Sequence, residues 1–394
     1  MKNHFLDKNE KINEKISAFR AEPTVETYGA ILEQIRERMQ EDGHFLIPVW
    51  TPEEEKDSEM PSMNLHQLHT EDGGIYLVAF TDEEEVHKGQ KTAIVSHFID
   101  QFFDFVFISA PVDGFILNPW SENNFTFSKG LMQTIVTGME EETDVVKSNE
   151  LLHKAIHFAA DRHLGGVRKG TSRPYIGHPL EVMNILNRME ADNNLMMAGL
   201  LHDTVEDTET TYAEIKEAFG FDVAALVAVH TKNPDATWEE VRKHKIAAMD
   251  DTSFRGKMLI MADMVANLRS MWGDYRHIGE ELWKRFNAPK EKQAWYYGTM
   301  QDKLDMMQNY METSEIYWEM VGLYKDLFVE YYLDEERDII YQCCADGTCF
   351  ALQRKDPVWQ EAAHPKHLPL IVRRDAERLE DNWRDVFMSQ QTVQ

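Results

Sequence analysis

The amino-acid sequence predicts a multidomain protein in which an all-α helical bundle follows a small α+β domain and precedes a short tail of helix and β-hairpin. Three observations predict it. The 394 residues exceed one ordinary hydrophobic core and fit two domains or slightly more. From about 148 to 312 the apolar spacing is helical and no strand pattern interrupts it. Upstream, apolar runs of strand length alternate with helical stretches, which is the pattern of a small α+β unit.

Residues 1–42 read as helical, with Leu32, Ile35 and Met39 on one face. The runs 45–49, 75–80, 103–108 and 114–118 read as strands, and helical patterns at 82–101 and 128–138 lie between them. The acidic stretch 139–144 marks a boundary, so the first domain is 1–142. It holds no candidate catalyst and reads as dispensable for chemistry. The bundle occupies 148–312, where Thr211 and Glu214 form a capping box and Gly220 closes that helix. In the remaining 313–394 one more helix is followed by two strand-like runs around Asp346-Gly347, a hairpin signal. No function is read in this tail.

Hydrophobic residues make up 43% of the chain, ample for buried cores, yet no run of about eighteen apolar residues predicts a membrane span. The first residues lack the apolar stretch of a signal peptide, and a cytoplasmic location is expected. With 41 basic against 69 acidic residues the net charge is −28. Such a surface repels nucleic acid and anionic membranes, so neither is expected as a partner. A polyanionic ligand must instead be held by a metal ion or a small cluster of arginines and lysines. Cys343, Cys344 and Cys349 offer no disulfide framework and read as reduced thiols. A zinc site that added His364 and His367 would lack the usual paired-ligand spacing.

The segment 198–207 carries the sharpest chemical signal. An apolar run leads into His202 and Asp203, and Glu206 and Asp207 follow one helical turn later. Four such groups at the end of an apolar helix are costly to bury without a partner, and a divalent metal is one. The ordinary alternative is a helix end whose acids face solvent, although a helix C-terminus disfavours them. Two further segments weigh against that alternative. His178 stands just before Pro179, which can open a helix at its first position. Asp263 and, four residues on, Asn267 interrupt an otherwise apolar helix. Two imidazoles and two carboxylates make a nitrogen and oxygen site suited to Mn, Fe or Zn. His157, His163, His230 and His244 read as core or surface residues.

In this order, the histidine before proline, the His-Asp-x-x-Glu-Asp run and the Ala-Asp-x-x-x-Asn helix resemble the HD hydrolase domain of the Rel/SpoT enzymes and the small alarmone hydrolases. The resemblance covers about 150 to 308 and includes the loop 168–179 and the segments 279–287 and 293–297. It implies that His178, His202, Asp203 and Asp263 hold a metal, Mn²⁺ first, with Fe or Zn as alternatives. It implies that Glu206 and Asp207 orient and deprotonate the attacking water. Asn267, Arg168 and Lys169 would meet a guanosine alarmone nucleotide. Two places where the family carries basic residues hold Ile260 and Met264. Arg285, Lys290 and Lys292 are candidates to supply that charge, although each also reads as a solvated helix charge.

The segments 43–50, 75–85 and 114–120 resemble the SseB N-terminal domain over roughly 27 to 137, implying a non-catalytic module with a protein partner. Its Trp50 and Trp120 are expected to pack in the core. The leading functional expectation is hydrolysis of the 3′-pyrophosphate of guanosine tetra- or pentaphosphate, giving GDP or GTP and pyrophosphate. Two alternatives stay open: a nucleotide or NADPH phosphatase using the same metal centre, and a silent alarmone sensor. The Glu206-Asp207 pair argues against the sensor, which needs no water-activating carboxylates.

Overall fold

The computed structural model describes residues 4–50, 64–70, 73–89, 92–109, 112–137, 145–228, 237–365 and 367–391. The expected boundary at 139–144 and His230 fall outside them. The chain divides into two compact units. The first comprises Met1–Gly166, Ala191–Thr237 and Ala247–Leu259, and the second Val167–Glu190, Trp238–Ile246 and Ile260–Gln394. The helical stretch 148–312 thus contributes to both. No helix among the described residues is long and apolar enough to cross a membrane.

The chain opens with α1 (Glu10–Ala21), α2 (Val25–Gln40), β1 (His44–Trp50), β2 (Asn64–Leu65), β3 (Gln67–His69) and β4 (Ile75–Ala79). Next come α3 (Glu83–His87), β5 (Ala93–Phe98), α4 (Ile99–Ile108), β6 (Gly114–Leu117), β7 (Phe125–Ser128) and α5 (Lys129–Val136). The helical expectation for 1–42 divides at Pro23-Thr24, where Thr24 and Thr27 build the capping box that starts α2. Two antiparallel strands flank β1 in the order β2-β1-β5, and a second sheet runs β3-β4-β6-β7 with β4 and β6 parallel. The run 103–108 is helix rather than strand. Phe102, Phe103, Val106 and Phe107 are buried at helical spacing, a period that so short an apolar run hides. Conversely, β5 lies inside the stretch expected to be helical. Phe115 centres the core, stacked on Phe127 at 4.7 Å and edge-on to Phe102 at 5.3 Å. Trp50 and Trp120, expected inside, are 47% and 48% exposed. Trp50 is the last residue of β1, and Trp120 lies in the turn that follows β6.

The helices that follow are α6 (Val145–Arg162), α7 (Gly177–Arg188), α8 (Asn193–Leu201), α9 (Thr204–Asp207), α10 (Tyr212–Phe219) and α11 (Phe221–Ala228). Then come α12 (Trp238–Ala248), α13 (Phe254–Ile278), α14 (Lys290–Lys303) and α15 (Met311–Phe328). Within the first unit α11 is buried from Asp222 to Ala228 and packs on α4, α5 and α8. Tyr212 and Lys216 of α10 reach Asp104 of α4 at 3.0 and 2.5 Å. Arg255 binds Asp222 at 2.8 Å, Asp192 at 2.9 Å and the Thr137 hydroxyl at 3.2 Å. Gly130 of α5 approaches the chain so closely that an added Cβ would lie 1.8 Å from the Asp251 carbonyl. Helices α4 and α5 thus cover α11, which in turn packs on α8.

The C-terminal part is larger than the expected helix and hairpin. After α15 come β8 (Val329–Asp334), β9 (Ile339–Cys344), β10 (Cys349–Gln353), β11 (Asp356–Glu361), β12 (Leu370–Ile371) and α16 (Arg373–Gln391). They form an antiparallel sheet, β11-β10-β9-β8-β12, on which Ala376 and Trp383 of α16 close a core with Tyr331, Ile340 and Leu352. The hairpin is where the sequence placed it, with Gly347 at φ +98° and Asp346 accepting from the Thr348 amide. That turn sets Cys343 opposite Cys349, and the two form a disulfide. The reduced-thiol reading fails because a tight hairpin brings residues six apart face to face, within bonding range.

A fragment beginning at residue 145 uncovers α11. It is expected to melt more than about 10 °C below the intact chain, because several large apolar side chains lose their cover. Melting followed by circular dichroism tests this, and equal midpoints would refute it.

Candidate active site

In the first unit the chemistry sits where an apolar helix ends. Asp192 caps α8 by accepting from the Leu195 amide at 2.9 Å, and Leu195 to Leu201 are all buried. The α-helix gives way to a turn at His202-Asp203 and resumes as the single turn α9, with both residues in right-handed helical conformation. The Thr204 and Thr208 hydroxyls donate to the Leu201 and Thr204 carbonyls, both at 2.6 Å. His202 is 2% exposed. Its Nδ1 lies 2.9 Å from the Gly199 carbonyl, which can only accept, so Nδ1 carries the proton. Its Nε2 then faces Asp203 Oδ1 at 3.2 Å. In a neutral ring that nitrogen is also an acceptor. A proton on Nε2 or a shared cation would make the contact favourable. Glu206 is half-buried and Asp207 exposed, with the Asp207 amide on the Asp203 carbonyl at 2.9 Å.

The second unit holds His178, Asp263, Asn267 and Arg168 in one chain of contacts. Helix α7 starts at Gly177, so Pro179 is its third residue, not its first; a proline there still costs no intrahelical hydrogen bond. His178 is buried, and its Nε2 lies 3.1 Å from Asp263 Oδ1. Asn267 sits one turn beyond Asp263 on α13. Its amide donates to the same Oδ1 at 2.7 Å, and its carbonyl oxygen accepts from Arg168 at 2.8 Å. Arg168 also lies over the Tyr175 ring. Lys169 stands apart, donating to Asn287 at 2.8 Å.

The loop carrying Arg168 is fixed from both ends. Val167 bridges Pro174, and Arg173 and Arg285 both bind Asp274. Gly170 has φ +72°, and an added Cβ would lie 2.5 Å from Arg285 Cδ. Arg269 binds Glu319 at 2.5 Å and also Glu181, tying α7, α13 and α15 together around the His178–Asp263 contact. Three cations expected as candidates are already committed: Arg285 to Asp274, Lys290 to Glu280 and Lys292 to Glu239. Tyr297 lies in the segment 293–297 that carries the resemblance, although residue order alone assigns it no role. Burial, reinforced by the Asp263 charge, pushes its hydroxyl far above the usual tyrosine range, so it stays protonated.

A helical bundle with a His-Asp doublet at a helix end defines a class, and comparison with known proteins assigns it. Residues 155–281 match the family model for the HD domain, and 13–133 match that for the SseB protein N-terminal domain. A guanosine-3′,5′-bis(diphosphate) 3′-pyrophosphohydrolase of Aquifex aeolicus is 37% identical over 34% of this chain and 20% of its own length. The enzymes called MESH1 in Danio rerio and Xenopus tropicalis are 34% and 37% identical, over 32% and 31% of this chain and 71% and 69% of their own. The chain belongs to the HD-domain family, with an SseB N-terminal domain preceding the HD segment. It spans a fifth of the length of the Aquifex relative.

Replacing Gly170 by alanine is expected to cost about 1–2 kcal/mol in urea unfolding, from the positive φ and the Arg285 clash. Gly170→Ala combined with Arg285→Ala should cost less than the two single changes added together. Simple additivity would contradict the contact.

Proposed function

We propose that this chain is a metal-dependent (p)ppGpp 3′-pyrophosphohydrolase. The observation that carries the proposal is the pair of imidazole–carboxylate contacts, His202 with Asp203 and His178 with Asp263. Both lie within residues 155–281, which match the HD-domain model, and enzymes bearing that name are 34% and 37% identical over about a third of this chain. Nitrogen and carboxylate oxygen donors of this kind fit Mn²⁺, Fe or Zn. His178, His202 and Asp263 offer donor atoms within 4.8 Å of one another, and with Asp203 they would hold the ion. When bound, the cation would acidify a water and draw charge from phosphate oxygens.

The chain's own groups do the rest. The Gly199 carbonyl fixes the His202 tautomer, so that Nε2 is the donor offered. Glu206 and Asp207 orient a water and accept its proton. Asn267 sets the Asp263 carboxylate and the Arg168 guanidinium together, and the remaining Arg168 donors meet phosphate. Lys169 adds charge at the exposed end of the same loop. Attack falls on the phosphorus bonded to the ribose 3′ oxygen, and the two 3′ phosphates leave together. A protein partner on the N-terminal domain belongs to the same reading, supported by the half-exposed Trp50 and Trp120.

One observation keeps a phosphatase in view: apolar Ile260 and Met264 flank the Ala262-Asp263 pair. Purified protein with Mn²⁺ and ppGpp is expected to give GDP and pyrophosphate in equal amounts from the first time point. Orthophosphate as the first product would replace the proposal with the phosphatase reading. Glu206→Gln should lower kcat by roughly 10²-fold or more while metal content is unchanged. Loss of the metal in that variant would mean that Glu206 is a ligand.

A further inference from the structure

Arg242 of α12, in the second unit, is placed unlike the other cations near this site. Its guanidinium lies 4.5 Å from the Tyr296 ring centre and 5.5 Å from that of Trp238, and the two rings meet edge to face at 6.3 Å. Its Nε is buried and donates to nothing, and among the described residues no carboxylate pairs with it. The contrast with its neighbours is sharp. Arg173 and Arg285 share Asp274, Arg188 and Arg269 share Glu319, and Lys290 and Lys292 have Glu280 and Glu239. In a chain with 69 acidic residues against 41 basic, a partly buried guanidinium given rings and no acid is not an accident of composition. Aromatic faces hold the group in place without neutralising it.

Its position gives that charge a use. Tyr296 adjoins Tyr297, whose buried hydroxyl feels the charges of Asp263, Arg242 and Arg168 together. Arg242, Asp263 and the loop guanidinium thus all act on the Tyr297 hydroxyl, beside the ring that Arg242 covers. The cations that might have made up for Ile260 and Met264 are occupied by carboxylates. Among the described residues, Arg242 is not.

We propose that Arg242 is a specificity-determining residue of this site, a guanidinium held ready by Tyr296 and Trp238 to bind a phosphate group of the substrate. This rests on the phosphohydrolase reading for its substrate class. Lysine keeps the charge but lacks the planar fork, so Arg242→Lys should act as a partial substitute and Arg242→Gln should not.

The test uses the full chain loaded with Mn²⁺ and two readouts. In calorimetric titration with inorganic pyrophosphate, Arg242→Gln should weaken binding by about tenfold or more, and Arg242→Lys should recover part of the loss. In kinetics with ppGpp, KM should rise by a similar factor in Arg242→Gln while kcat changes by less than about threefold. A purely structural role would lower the melting temperature and the active fraction, leaving KM and pyrophosphate affinity unmoved. If Arg242→Gln fails to fold, the decision passes to Arg242→Lys, which must bind pyrophosphate more weakly than wild type. Equal pyrophosphate affinity in wild type and a folded variant overturns the inference, as does a wild type that binds no pyrophosphate. A wild type that binds pyrophosphate through Arg242 yet hydrolyses no ppGpp would sink the proposed function and leave the inference standing.

Discussion

His202 gives its Nδ1 proton to the Gly199 carbonyl and turns the opposite nitrogen to the Asp203 carboxylate. A protonated Nε2 or a shared cation would make that 3.2 Å approach favourable. Much of the surrounding sequence serves to maintain that arrangement. The apolar α8 excludes water behind the ring, and its end at Leu201 places the carbonyl of Gly199 under Nδ1. The Thr204 and Thr208 hydroxyls then donate to the Leu201 and Thr204 carbonyls around the turn. A second imidazole–carboxylate contact, His178 with Asp263, is held by a different device, the Asn267 amide and the Arg269 network.

The two contacts belong to different compact units, and each unit stabilises its own. For His202 the support reaches into the N-terminal domain. Helix α8 packs on α11, and α11 is covered by α4 and α5. The SseB domain is thus part of the core on which the His-Asp doublet stands, whatever else it binds. For His178 and Asp263 the support is electrostatic. Carboxylates of α7 and α15 meet Arg269 of α13, and paired ions of this sort fix helix registry more than they add net stability. Against the acidic surplus of the chain, a guanidinium without a carboxylate partner among the described residues, as in Arg242, is conspicuous.

Parts of this were legible from residue order alone. His202-Asp203 with Glu206-Asp207 is expensive at the end of an apolar helix, and Asp263 is equally expensive inside α13, so chemistry left a mark in the pattern. The capping box at Thr211 and the turn at Asp346-Gly347 were legible because local hydrogen bonds decide them. The run 103–108 was not, because five apolar residues in six positions satisfy strand and helix equally until neighbours choose. The Cys343–Cys349 bond depends on strand register, which spacing alone does not state. Trp50 and Trp120 are large and apolar and yet stand at the last residue of β1 and in the turn after β6, where the strands no longer carry them inward. Arg242 was invisible, since within α12 it is one charge among many. Only the rings beneath it and the missing carboxylate set it apart.

The central claim is that His178–Asp263 and His202–Asp203 serve one ion. Calorimetric titration of Mn²⁺ into the apo protein and into His178→Ala and His202→Ala tests it most directly. The account predicts one ion per chain in the wild type and a loss of affinity of roughly 100-fold or more from either change alone, as expected when a ligand is removed outright. Wild-type affinity in either variant, or two ions per chain that are lost one at a time, would contradict it.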